Sequence, residues 1–322
     1  MTTPWDNIQR PSEAYNVRLT EWQGIITTYW GKDTNGKCLF LAKLEGDHVQ
    51  TLREAALSIH GIDIDLRGRP QSSHQNLVLT LISHLDRELF HALCKTMARR
   101  MCRAVDPAHA LEIAIGHLKR WQKFLSGGRT QLLSAEEIRG LYAELDLFHA
   151  LLRLGVGSVD CWQGPEGADQ DFFIGDVAIE VKSLPSQATS KVHIASDAQL
   201  DSAAGSLFLA VKNVGSGPDG QSLNDRVREL CAMLPGAAAV QTFQDRLSRV
   251  GYEELDHYDA PQLQVSATRI FEVREGFPRL IRSKLPAGVV SVRYSLDIGA
   301  LKPFECPIIQ FWNRLDENGH HT

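Results

Sequence analysis

Asp169-Gln170-Asp171-Phe172-Phe173-Ile174-Gly175-Asp176-Val177-Ala178-Ile179-Glu180-Val181-Lys182-Ser183 is the stretch whose reading decides the fold. Two short β-prone apolar runs flank Gly175-Asp176, and a two-residue Gly-Asp loop between such runs predicts a tight hairpin with glycine at the first central position of a type II′ turn. The register follows by counting outward: Ile174 with Val177, Phe173 with Ala178, Phe172 with Ile179, and so Asp171 with Glu180. One step further, Gln170 meets Val181 and Asp169 meets Lys182. Side chains alternate along a strand, so Glu180 and Lys182 share a face and Val181 points away.

Directly opposed residues on antiparallel strands have Cβ atoms roughly 4.5–5.5 Å apart, and like charges placed there repel. Asp171 opposite Glu180 is therefore a poor choice for stability alone. A hard divalent cation such as Mg²⁺, which binds one or two carboxylates plus water and substrate phosphate, turns that repulsion into a binding site. A lysine alongside can hold an attacking water and offset charge developing on a phosphate. This is the chemistry of a metal-dependent phosphodiesterase. Asp169 is a second candidate for the metal-binding aspartate; the register favours Asp171.

These residues resemble the PD-(D/E)XK nuclease superfamily, which has the restriction-endonuclease-like fold. The match is Asp171, then Glu180-Val181-Lys182, with eight residues between Asp and Glu. Trp162-Gln-Gly-Pro165, Ala178-Ile-Glu-Val-Lys-Ser183 and Ala198-Gln199-Leu200 extend it toward a bacterial group of such proteins found with phage-defence genes. Gln170 stands where the motif's proline would be. The resemblance implies metal ligation by Asp171 and Glu180, helped by Glu144 and the Val181 carbonyl, with Mg²⁺ as cofactor and Mn²⁺ as substitute. It implies that Lys182 positions the water and that Gln199 orients the scissile phosphate or the lysine. Ser183, beside the lysine, is a candidate phosphate contact.

The 322 residues allow two domains. With 43% hydrophobic and 23% charged residues the composition is that of an ordinary globular protein, and a net charge of −5 gives no global pull toward a polyanion. Nucleic-acid contact must then rest on local basic patches. No 18-residue apolar run and no signal-peptide pattern is present, so no membrane role and a cytoplasmic location are expected. The six cysteines, without a C-x-x-C pair, read as reduced thiols.

Residues 1–105 read as a separate mixed α+β domain, with strands at 24–30, 38–43, 62–66 and 76–82 and a helix over 84–103. Lys95, Arg99, Arg100 and Arg103 on that helix face either phosphates or solvent. A second helix is expected over 108–125, with the domain boundary between about 105 and 130. Residues 106–322 then form the α/β nuclease domain, a mixed central sheet flanked by helices, with a C-terminal extension. Ser134-Ala-Glu-Glu137 is a capping box opening a helix that Gly155 closes. Its apolar face is Ile138, Leu141, Leu145, Phe148 and Leu152. Glu144 falls inside the apolar arc, where a carboxylate is costly unless paired or metal-bound; Asp146 lies toward the polar side and reads as solvated.

Further along, 157–162 and 191–195 read as strands, Ser196 as the cap of a helix carrying Gln199, and Leu207–Val211 as a strand buried on both faces. Helices follow over 224–234 and 237–250, strands over 263–273 and 289–298, and an unstructured tail over 316–322 bearing His320-His321. Arg269, Arg274, Arg279, Arg282 and Lys284 gather into a candidate DNA-backbone surface, with Arg279 and Arg282 as substrate contacts. The expected function is a Mg²⁺-dependent endonuclease that cleaves DNA in restriction or phage defence. The resemblance implies a homodimer or ATPase and methyltransferase partners. The alternatives are a catalytically inactive DNA-binding or assembly subunit, or a nuclease for RNA or branched DNA.

Overall fold

The chain reverses at Gly175-Asp176 in the predicted register, pairing Phe172 with Ile179, Phe173 with Ala178 and Ile174 with Val177. Gly175 has φ +53°, while Asp176 is not among the residues of positive φ, as a type II′ turn requires. The computed structural model describes residues 3–22, 24–68, 73–82, 87–126, 132–186, 191–289 and 291–319 of this α/β chain. Two units emerge: Met1–Leu132 with Leu255–His257, and Leu133–Glu254 with Tyr258–Thr322.

In the first unit, β1 (Tyr15–Leu19), β2 (Thr27–Asp33), β3 (Cys38–Glu45), β4 (Ile62–Arg67) and β5 (His74–Leu81) form an antiparallel sheet of order β1-β2-β3-β5-β4, with a short helix α1 (Val49–Ala55) between β3 and β4. All four expected strands are present with shifted ends. β1 was not expected; its Tyr15, Val17, Leu19 alternation runs for only five residues. Helices α2 (Arg87–Met101) and α3 (Pro107–Ser126) follow, Pro107 opening the second as it can at a first helical position. His117 of α3 hydrogen-bonds through Nε2 to the Leu93 carbonyl of α2 at 3.1 Å. That packing puts α3 in the first unit, and the units divide at Leu132, beside the upper end of the expected range of about 105 to 130. On α2, Lys95 and Arg99 lie 3.3 and 2.7 Å from Asp256, and Arg87 lies 2.9 Å from Asp6, so these cations meet carboxylates. Ser126-Gly-Gly-Arg-Thr130, which punctuates the sequence at the end of α3, lies, apart from Ser126, outside the described residues.

The second unit opens with α4 (Ala135–Leu154), capped as predicted by Ser134 with Glu137 and by Gly155 at φ +74°. Its sheet comprises β6 (Phe172–Ile174), β7 (Val177–Pro185), β9 (Ser206–Gln221), β10 (Leu263–Glu272) and β12 (Glu305–Cys306), in the order β12-β10-β9-β7-β6. β7 and β9 run parallel and the other pairs antiparallel. β8 (Lys191–Ile194) pairs with β11 (Tyr294–Asp297) in a separate two-stranded ribbon. Helices α5 (Leu223–Met233), α6 (Gly236–Arg249) and α7 (Ile308–Gly319) complete the unit. The run Leu207–Val211 lies within β9 and is buried throughout, as a central strand demands.

Four expectations fail locally. Residues 157–162 form a 3₁₀ turn (Val159–Cys161) instead of a strand: the Val159 carbonyl accepts from the Trp162 N–H, which closes the turn, and from the Arg246 guanidinium, which braces it, and Trp162 keeps an isolated bridge to Phe172. Gln199 sits on a single 3₁₀ turn, Asp197–Leu200, rather than a full helix. Of 289–298, only the last part is a strand, and Val290 lies outside the described residues. Residues 316–319 belong to α7, whose Phe311 packs edge-on against Phe208; His320 and His321 lie outside the described residues.

Candidate active site

The β6–β7 hairpin carries the acidic pair, and the loop before it fixes the aspartate. The ladder ends at Phe172 and Ile179, and Asp171 folds its side chain across the gap: Oδ2 accepts from the Val181 backbone N–H at 2.8 Å. Its own carbonyl accepts from the N–H groups of Gln163 and Gly164 at 2.8 and 3.1 Å. A Cβ on Gly164 would stand 2.8 Å from Asp171 Oδ1, so only glycine lets the loop lie this close. The loop is clamped by Arg246 of α6, 7% exposed, which also bonds Asp160 and Glu166, and by Arg249 on Glu166.

Glu180 is 1% exposed, and its Oε1 pairs with Lys182 Nζ at 2.7 Å. Its Oε2 is buried with no hydrogen-bond partner among the described residues. Lys182 Nζ also donates to Gln199 Oε1 at 3.1 Å, and the Ala195 N–H donates to the same oxygen at 2.8 Å. On α4, Glu144 Oε2 accepts from Trp162 Nε1 at 2.8 Å. Trp162 is held in an aromatic cluster with Phe148 and Phe243, at centroid distances of 6.3 and 5.7 Å.

The three carboxyls feel one another. Burial, opposed by the Val181 N–H and the Lys182 charge, pushes Asp171 up to about 6. Burial and then the charge of Asp171 hold Glu144 and Glu180 well above the usual carboxylate range. Each is thus ready to trade a proton for a cation. Among the described residues no group of three or more His, Cys, Asp or Glu is arranged to hold a metal by itself. The donor set nevertheless fits a hard cation that takes two carboxylates and leaves its other positions to water and phosphate. The orphaned Glu180 Oε2 is the atom such an ion would satisfy.

The structure thus brings together Asp171, Glu180, Lys182, Glu144 and Gln199. Asp169 is exposed, and Lys182 pairs with Glu180 instead of Asp169. Ser183 lies one residue past the lysine, on the opposite face of β7 by alternation. The five basic residues do not form one patch. Arg269 is bound bidentately by Glu305 and Arg274 donates to the Pro303 carbonyl, whereas Arg279 donates to the Leu200 carbonyl and Arg282 stands 3.8 Å from Asp197, both on the Gln199 turn. Asp146 is not merely solvated: it accepts from buried Lys212 at 2.6 Å and lies 3.4 Å from Arg226. Sequence reading missed Arg246, Gly164 and the Trp162 bond, since their roles lie in tertiary approach. Their local trace in the sequence is Gln163-Gly-Pro-Glu-Gly167, whose glycines and proline read as a turn.

An aspartate and a Glu-x-Lys on one hairpin, with a helix-borne glutamate and a glutamine on the lysine, mark the PD-(D/E)XK class of proteins. A family model described as "Putative PD-(D/E)XK family member, (DUF4420)" matches residues 1–299, and the chain belongs to that family. No curated protein and no solved structure matches it. Among the described residues no helix is long and apolar enough to cross a membrane.

Proposed function

We propose that this protein is a divalent-cation-dependent nuclease that hydrolyses DNA phosphodiester bonds. One observation carries the reading: buried Glu180 and half-buried Asp171 repel each other beside a lysine, and Glu180 keeps an unsatisfied oxygen. A structure selected for stability alone has no reason to retain that arrangement. Asp171 and Glu180 would hold Mg²⁺ or Mn²⁺ with the Val181 carbonyl, and Glu144 would add negative charge from α4. The ion supplies Lewis-acid polarisation of the phosphoryl group and a more acidic water. Lys182, with two of its three N–H groups engaged by Glu180 and Gln199, keeps one for the attacking water or a phosphate oxygen. Arg279 and Arg282, anchored on the Gln199 turn, extend the positive surface along the nucleic-acid backbone. The sheet order and the helix before it suit a restriction-endonuclease-like core, and the resemblance supports a role in defence against foreign DNA.

A second reading is favoured by the Lys182–Glu180 ion pair itself, which a catalytically silent DNA-binding or assembly subunit would also keep. Titration with Mg²⁺ and Mn²⁺ over linear duplex, single-stranded, junction and RNA substrates separates the two. A nuclease shows cation-dependent cleavage that falls by at least about 10²-fold in Glu180→Ala and Lys182→Ala. A silent subunit binds DNA and cleaves nothing, with or without the substitutions.

A further inference from the structure

Directly before Asp171 stands Gln170, where the motif that names the class has proline. Its side chain is almost fully buried at 3% exposure. Nε2 donates to the Ala198 carbonyl at 2.8 Å and lies 3.3 and 3.4 Å from those of Asp201 and Gln199. All three acceptors belong to the 3₁₀ turn that carries Gln199 or to the residue ending it. Within the turn the Ala198 carbonyl also accepts from the Asp201 N–H at 3.0 Å, but a carbonyl has a second lone pair and a turn this short satisfies few of its own, so an amide with two N–H groups is suited to gather them. Proline, with no donor, could fix only its own backbone.

We propose that Gln170 is a positioning residue: it fastens the Gln199 turn to the Asp171 loop, and through Gln199 Oε1 it sets where Lys182 Nζ stands. The chain of bonds is continuous, from Gln170 Nε2 to the Ala198 carbonyl, along the turn to Gln199 Oε1, and from there to Lys182 Nζ and the Ala195 N–H. Asp171, in the loop before β6, and Lys182, on β7, are thereby held in one frame through adjacent residues 170 and 171. The kinetic part of the test rests on the nuclease reading; the exchange part does not.

The full-length chain is compared as wild type, Gln170→Met, Gln170→Glu, Gln199→Ala and the double variant Gln170→Met with Gln199→Ala. Cation-free hydrogen exchange should rise on the order of tenfold across 195–201 in Gln170→Met and further in Gln170→Glu, whose carboxylate faces carbonyls, with 138–151 of α4 unchanged. With Mg²⁺ and duplex DNA, kcat should fall about 10- to 100-fold with KM within about 2-fold, as a small misplacement of a catalytic group costs. In the Gln199→Ala background the same substitution should add less than about 2-fold, because both act through one chain of contacts. Unchanged exchange across 195–201, an equal rise in α4, or an equal kcat loss in both backgrounds overturns the proposal. If the wild type cleaves no nucleic acid with either cation, the nuclease reading fails while the exchange result still decides the role of Gln170.

Discussion

Asp171, Glu180 and Glu144 bind protons more tightly in the folded chain than in an unfolded one, because burial and mutual repulsion disfavour their charged forms. A raised carboxyl contributes stability when protonated and loses it as pH climbs through the folded value. For Asp171 that window runs from 3.8 to about 6. The cation-free protein should therefore gain stability from these groups as pH falls from 7.5 toward 5, while Mg²⁺ affinity falls over the same range because protons and cation compete. Thermal melts with and without Mg²⁺ at several pH values check both trends. Asp171→Asn, which keeps an oxygen for the Val181 N–H, should raise cation-free stability at pH 7.5 by about 1–3 kcal/mol. It should also abolish the Mg²⁺-dependent rise in Tm expected of wild type. A variant no more stable than wild type at pH 7.5 would contradict the repulsion. The hairpin was legible in the sequence because its register is a local count, but the ladder stops at Phe172 and Ile179, so Asp171 does not pair with Glu180 as counted and instead accepts from the Val181 N–H. The orphaned Glu180 oxygen was not legible, since it depends on which neighbours decline to donate.

At the level of elements, the capping box of α4, the hairpin and the buried run of β9 could all be read from spacing, each being set by residues within a few positions. The Val159–Cys161 turn was misread because the contact that braces it comes from Arg246, some 87 residues away. Arg246→Ala removes a buried cation from the Val159 carbonyl, Asp160 and Glu166 and should destabilise the protein by about 2–4 kcal/mol, measured by urea denaturation. A change under about 0.5 kcal/mol, the size of an ordinary surface effect, would show that the loop stands without it. Gly164→Ala acts more narrowly. Its methyl group would meet Asp171 Oδ1, so Mg²⁺ affinity by calorimetry should drop about tenfold or more while Tm moves little, in the manner of a displaced ligand.

For the molecule as a whole, a net charge of −5 means that any hold on DNA is local. Between Phe277 and Leu296 the sequence carries Arg279, Arg282, Lys284 and Arg293 and no acid. Arg269 and Arg274, which spacing had grouped with them, are committed elsewhere, a division that only the fold could make. Arg282→Ala should weaken duplex binding across all sequences and reduce the salt slope of log K by about 1, the loss of one phosphate contact. Fluorescence anisotropy between about 50 and 200 mM salt reads it, and an unchanged slope would place the nucleic acid elsewhere. The back of the hairpin has its own consequence. A Cβ at Gly175 would come within 2.7 Å of the Asn318 carbonyl, so α7 is the doorstop behind the turn. During synthesis the turn emerges first and the helix Ile308–Gly319 more than 130 residues later, a delay on the order of ten seconds at ribosomal speed. For that interval the nascent chain holds its acidic pair on a hairpin that α7 does not yet back.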